Sequence, residues 1–149
     1  MVNIVNPGVY HHYQILEKFE AGIELKGFEV KSIKNNRGSL RGSYVTVKDN
    51  EIYLVNFKLP PYQPKNTPKD YQEERPRKLL LKRKEINYLI SRIKERGLTI
   101  IPLKIYSKNN LIKVEIALVK GVKKYEKREK IKAREFQRLK ARVQKRKYL

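Results

Sequence analysis

The 149-residue chain has no cysteine, no tryptophan, one methionine and two histidines. Without cysteine it can build no disulfide framework, no thiolate zinc site and no thiol nucleophile, and the absence fits an intracellular setting. No run of about 20 apolar residues occurs, so no helix is expected to span a membrane. The start, MVNIVNPGVY, lacks a basic region followed by a long apolar stretch and does not read as a secretory signal. Phosphate-cradling loops of the GxxxxGK[ST] type are missing: Lys120-Gly121 has neither the loop before it nor the hydroxyl after it. His11 and His12, placed on a strand, would point to opposite faces and could not share a metal ion. No nucleophile elbow marks a Ser–His–Asp site. The carboxylates are mostly interleaved with lysine, as in Glu17–Lys18 and Glu29–Lys31, which reads as a solvated face. No catalytic site, metal site or cofactor is expected.

Acidic residues are also scarce. Fifteen Asp and Glu stand against 36 Lys and Arg, a net charge of +21. Residues 120–149 hold 14 basic and 3 acidic residues, so over half of the excess charge sits in a fifth of the chain. Such a charge calls for a polyanion, and nucleic acid leads because each neutralised phosphate releases condensed counterions. An anionic membrane surface is the rival, opposed by Glu126, Glu129 and Glu135 spread through the basic stretch. Charge serving solubility alone is the third reading.

The body reads as mostly strands. Residues 13–20 alternate, with Tyr13, Ile15 and Phe19 on one parity and Leu16 on the other. Residues 43–48 and 51–57 flank Asp49–Asn50, and residues 99–106 and 111–119 flank Asn109–Asn110. Both are hairpin signatures, because Asp and Asn tolerate positive φ. In the second, Ile112, Val114, Ile116 and Leu118 share one face and Lys113 and Glu115 take the other. Pro102 cannot donate to a ladder, so its strand lies at an edge or bulges there. Ile86, Leu89, Ile90 and Ile93 predict a helix over 82–96, ended by Gly97. A shorter helix is predicted over 27–35, with Val30 and Ile33 inward and Asn35, Asn36 and Gly38 stopping it. Residues 58–77 carry five of the seven prolines and predict a long loop, functional or disordered. Its end brings Arg75, Arg77 and Lys78 beside the next helix. The length suits one domain: a strand-rich body over 1–121, followed by a basic tail over 122–149 that orders on a polyanion. Many short strands with two helices suggest a closed or partly open antiparallel barrel. Aromatics near cations, Tyr10, His11 and Tyr13 among them, suit stacking on unpaired RNA bases.

Five collinear blocks carry a family resemblance: EAGIELKGFEVKS (Glu20 to Ser32), GSYV (Gly42 to Val45), RKLLL (Arg77 to Leu81), GLTIIPLKIY (Gly97 to Tyr106) and KGVKKYEKREKIKAREF (Lys120 to Phe136). Together they resemble the SmpB family, partners of transfer-messenger RNA in bacterial ribosome rescue. The resemblance implies a mainly β fold, a six-stranded antiparallel oligonucleotide-binding-type barrel with two to three helices and a basic disordered C-terminal tail. It implies a cytoplasmic, non-enzymatic protein, monomeric when free, that binds the tRNA-like domain of transfer-messenger RNA. Its tail would become helical in the empty mRNA channel, beside the small-subunit decoding centre of a stalled ribosome. Asn6, His11, Glu20 and Leu80 match positions the family uses at its RNA-binding and ribosome-facing surfaces. Gly22 and Lys31 from the first block, Arg75 and Arg77 from the loop end, and Lys120, Lys123 and Lys124 at the body–tail junction complete the expected RNA-binding set. Lys82 stands where the family usually has Asn or His, so a phosphate contact is expected there in place of a base contact. Tyr125, Lys127, Arg128, Lys132, Arg134 and Phe136 are the tail residues expected to contact the ribosome. The tail motif reads Glu126-Lys127-Arg128 where the family has Asp-Lys-Arg, and Gly42 replaces the usual Asp before Ser-Tyr-Val. For Glu20, the residues leave two partners open: base amino groups, to which a carboxylate can accept, or a nearby Lys or Arg in a salt bridge. Other readings are a general tRNA- or rRNA-binding ribosomal accessory protein and an RNA-processing enzyme, the latter opposed by the lack of clustered carboxylates.

Overall fold

The computed structural model describes residues 2–121. The expected tail, with Lys123, Lys124, Tyr125, Lys127, Arg128, Lys132, Arg134 and Phe136, lies outside the described residues. The described part is mainly antiparallel β with three α-helices. In chain order these are β1 (Asn3–Val5), α1 (Val9–His12), β2 (Tyr13–Ile23), α2 (Gly27–Lys34), β3 (Tyr44–Lys48), β4 (Glu51–Val55), β5 (Arg77–Leu80), α3 (Arg83–Arg92), β6 (Leu98–Lys108) and β7 (Leu111–Gly121). Both expected hairpins form. Their turns place Asp49 and Asn50 at φ 53° and 59°, and Asn109 and Asn110 at 52° and 63°, the left-handed pair that a two-residue hairpin needs. Strand β6 pairs with β1, β3 and β7, and β2 pairs with β5 and β7, so the pairings β6–β3–β4–β5–β2–β7 return to β6.

The main core lies on one side of these strands. Ile52, Leu54, Phe57, Leu79, Leu89, Ile105, Val114, Ile116 and Leu118 are fully buried in it. A second, smaller cluster packs Val9 of α1 onto Ile101, Leu103, Ala117 and Val119, with Tyr13 and Ile15 beside them. Two bulges let one strand serve both. In β2, Ile15 sits opposite Val119 and Glu17 opposite Leu118, so Leu16 is an extra residue. The alternation flips there: Tyr13 and Ile15 face the small cluster, whereas Phe19, Ala21 and Ile23 face the main core. In β6 the register shifts between Pro102 and Lys104. The alternative posed by Pro102 is thus decided for a bulge within an interior strand and against an edge.

Several expectations need correction. His11 and His12 lie in the short helix α1, after Gly8 at φ 75°, and not on a strand. Helix α3 ends at Arg92, earlier than the periodicity suggests, because the chain must turn back into β6. Bonds from Glu95 N–H to Arg92 O and from Leu98 N–H to Glu95 O tighten that turn. Gly97, at φ 83°, serves this turn and does not cap the helix. Gly38 does not stop α2 through its own flexibility. The Phe57 ring lies where its Cβ would stand, 2.8 Å away, while Asn36 supplies the positive φ. The proline loop is held to the body along its length. Ser32 Oγ donates to Pro60 O at 2.5 Å, Arg37 Nη1 donates to Pro61 O at 3.3 Å, and residues 64–66 form a short 3₁₀ turn.

Candidate nucleic-acid interface

Strand register builds one exposed face from four strands. Tyr106 of β6 is opposite Lys113 of β7, Lys113 is opposite Gly22 of β2, and Gly22 is opposite Leu80 of β5. Two residues along, Lys104, Glu115 and Glu20 form the neighbouring row. These side chains share a face because strand residues two apart point the same way. At one end of β2 and β7, α1 and the small apolar cluster cover this side of the sheet. At the other end it is open: Glu20 is exposed, and Leu80 keeps half of its surface in contact with solvent.

Glu20 is the polar centre of the face. Tyr106 Oη donates to its Oε2 at 2.5 Å, and Lys108 Nζ lies 3.4 Å from the same oxygen. The Tyr106 hydrogen bond holds the Glu20 carboxyl below the usual carboxylate range, with Lys108 and Lys113 adding to the effect while partial burial pushes the other way. Burial, then the bond to Glu20, pushes the Tyr106 hydroxyl well above the ordinary phenol range. Glu20 is therefore ionised at neutral pH and carries unused acceptor capacity toward solvent. Lys104 Nζ stands 5.3 Å from the Tyr106 ring centroid. Tyr106, Lys108 and Lys113 were absent from the expected set. The alternation of Lys104, Tyr106 and Lys108 along the second hairpin was the signal that could have found them.

The remaining expected residues divide. Asn6 turns inward as a tie: its Nδ2 donates to Pro102 O at 2.8 Å and its N–H to Leu103 O at 2.9 Å, fixing the chain at the β6 bulge. Asn6 also lines a hollow of about 820 Å³ with His12, Tyr13, Arg41, Tyr44 and Gly121, the last described residue. His11 is exposed on α1 and is not among the lining residues. Lys82 is exposed before α3, where its N–H donates to Glu85 Oε1 at 3.3 Å. Lys120 is exposed at the end of β7, and Lys31 is exposed on α2 beside Phe28 and Tyr62.

Arg77 is misplaced in the expected set, and Arg75 is turned toward the same buried partner. Arg77 is fully buried and cannot touch RNA. Its Nε donates to Glu29 Oε2 at 2.7 Å, Nη1 to Phe57 O at 2.7 Å, and Nη2 to Tyr71 Oη at 2.9 Å and Glu73 O at 3.0 Å. Arg75 is only partly exposed and pairs with both carboxylate oxygens of Glu29. Glu29, expected on a solvated face, is itself fully buried. Burial pushes its carboxyl upward, but Arg75, the Lys26 N–H and Arg77 outweigh that and hold it below the usual range. Glu17 is not simply solvated either: Tyr88 Oη donates to it at 2.7 Å, linking α3 to β2. Among the described residues no group of three or more His, Asp or Glu could hold a metal ion. No helix there is long and apolar enough to cross a membrane.

Comparison with known proteins agrees across most of the chain. The family model for SmpB protein matches residues 3–146. The chain is 49% identical over 134 residues to an SsrA-binding protein of Thermosipho africanus, covering 89% of each. It is 51% identical over 127 residues to an SsrA-binding protein of Pseudothermotoga lettingae, covering 85% of each. A solved structure described as "tmRNA-SmpB: a journey to the center of the bacterial ribosome" superposes with a TM-score of 0.68 at 38% identity, covering 85% of this chain and 88% of that one.

Proposed function

Because the chain belongs to the SmpB protein family, we propose that it binds the tRNA-like domain of transfer-messenger RNA and carries that RNA to stalled ribosomes for rescue and peptide tagging. The observation that carries this reading is the open face centred on Glu20, Gly22 and Leu80, presented by a chain of net charge +21. Lys104, Lys108 and Lys113 on or beside this face supply sequence-independent attraction for phosphate. The ionised Glu20 accepts from base amino groups, a contact that only a correctly placed unpaired base can satisfy. Binding and shape are the whole mechanism; the protein catalyses no step itself, and its place is the cytoplasm.

The cycle of six strands closed by the β6–β7 pairing is best read as an oligonucleotide-binding-type barrel, with β1 added outside it. The body, 1–121, holds the RNA. The tail, 122–149, carries ten more Lys and Arg residues than acidic ones. In this reading it enters the vacant mRNA channel, where ribosomal RNA phosphates hold it and a resident message would exclude it.

Deleting 122–149 separates the two roles. The shortened protein is expected to bind the isolated tRNA-like RNA within about twofold of the full chain at matched high salt, where non-specific attraction is screened. Peptide tagging on stalled ribosomes is expected to be lost. Normal tagging by the shortened protein would overturn the division of labour. RNA recovered from cells after cross-linking should be dominated by transfer-messenger RNA; a random sample of transcripts would favour a general RNA-binding role.

A further inference from the structure

Beside Leu80 the open face runs into a groove that shares only Gly22 and Leu80 with the expected contacts. It encloses about 330 Å³, at the small end of the usual range for ligand pockets. Gly22 forms part of its lining because it has no side chain; a Cβ there would stand 3.3 Å from that of Leu80 and fill the gap between strands. Leu80 is 50% exposed and Leu111, beside the Asn109–Asn110 turn, is 59% exposed. Both line the groove, together with Ile112, Lys34 and Lys113. No Asp or Glu lines it, and neither lysine forms an ion pair among the described residues, although Lys113 is near enough to influence Glu20. A second hollow of about 300 Å³ shares Lys34, Asn110 and Ile112, so the groove continues past the hairpin turn.

We propose that this groove seats one unpaired nucleotide of the bound RNA, its base against Leu80 and Leu111 over Gly22, and its phosphate met by Lys34 and Lys113. Two solvent-exposed leucines flanked by cations match the two halves of a nucleotide, an apolar ring face and an anion. A base face becomes available only where RNA is unstacked, in loops, bulges and ends, so the groove selects for such a nucleotide and not for a duplex. A second copy of this strongly cationic chain is disfavoured as the occupant by like charge. The assignment rests on the RNA-binding reading above. It extends the interface beyond Glu20 and Leu80, around the β6–β7 turn, to the end of α2.

The test uses the full chain and the isolated tRNA-like domain of transfer-messenger RNA over a series of salt concentrations. Leu111→Ser is expected to weaken binding about tenfold at every salt concentration, because it removes an apolar contact and no charge. Leu111→Met should stay within about twofold of the parent. Lys34→Ala and Lys113→Ala should each reduce the slope of log affinity against log salt by about one. A photoreactive residue at position 111 should cross-link to a single unpaired nucleotide. If Leu111→Ser binds as the parent does while Leu80→Ala weakens binding, the groove assignment falls and the RNA-binding reading stands. If the parent chain does not prefer this RNA over a scrambled RNA of equal length, the reading itself fails. Cross-links to paired nucleotides, or to a second copy of the chain, also overturn the assignment.

Discussion

Glu20 and Glu29 lie nine positions apart, and each meets a tyrosine and basic side chains, yet they do opposite things. Glu29 is fully buried beneath the proline loop, where Arg75, Arg77 and Tyr71 close over it. Glu20 stands on the open sheet face with Tyr106 and Lys108. Both carboxyls are held below their ordinary range. In the buried cluster every charge is used up inside the protein, and its product is a fixed loop. In the exposed cluster the tyrosine hydrogen bond fixes the carboxylate's direction while part of its acceptor capacity still faces solvent, and its product is a surface that can meet a partner.

The sharpest way to break this comparison is Glu29→Ala. It strands two arginines around an apolar interior, and the expected loss is about 3–5 kcal/mol in urea unfolding. A change below about 1 kcal/mol would mean that the buried cluster is not what anchors the loop. Acid should act in the same direction. A lowered carboxyl pKa gives stability that is complete at neutral pH, declines below roughly pH 4.3, and is gone once the pH passes the lowered native value. Hydrogen exchange of the 58–76 amides should therefore accelerate on acidification beyond the intrinsic rate change, and Glu29→Gln should remove the pH dependence of that protection.

Arg77→Lys tests the geometry more finely. It keeps the charge but cannot reach Glu29, Phe57 O, Tyr71 and Glu73 O together, so a loss of about 1–3 kcal/mol is expected from unpaired buried acceptors. Full stability in this variant would show that charge alone suffices. The smallest effect on stability belongs to the other glutamate. Glu20→Ala should leave unfolding within about 0.5 kcal/mol of the parent. It should weaken binding of the tRNA-like RNA by about 1–2 kcal/mol, although it removes a negative charge. Tighter binding after this substitution would make Glu20 a partner for Lys108 and Tyr106 only and overturn the proposed base contact.

Much of this was legible from short-range pattern. Asp49–Asn50 and Asn109–Asn110 announced both hairpins, because few residues accept positive φ. Ile86, Leu89, Ile90 and Ile93 announced α3 through spacing alone, although its end was set by the turn into β6. That Glu20, Gly22 and Leu80 share one face was not legible from pattern, since no local rule links β2 to β5. Arg75 and Arg77 read as surface cations for a simple reason: Glu29, their partner, lies 46 and 48 positions earlier, and nothing local pairs them. The flip of β2 at Leu16 was equally hidden, because a bulge depends on the neighbouring strand.

The amino-acid order alone settled the strand-rich body, the two turn positions, the cationic character and the family, since each rests on local conformational preference, on summed charge or on motifs in line. Only the tertiary structure decided which charges are spent inside and which face outward. Burial is a property of what folds over a residue, and a Glu–Tyr–cation set becomes an internal brace or an open surface according to whether the proline loop or solvent lies above it.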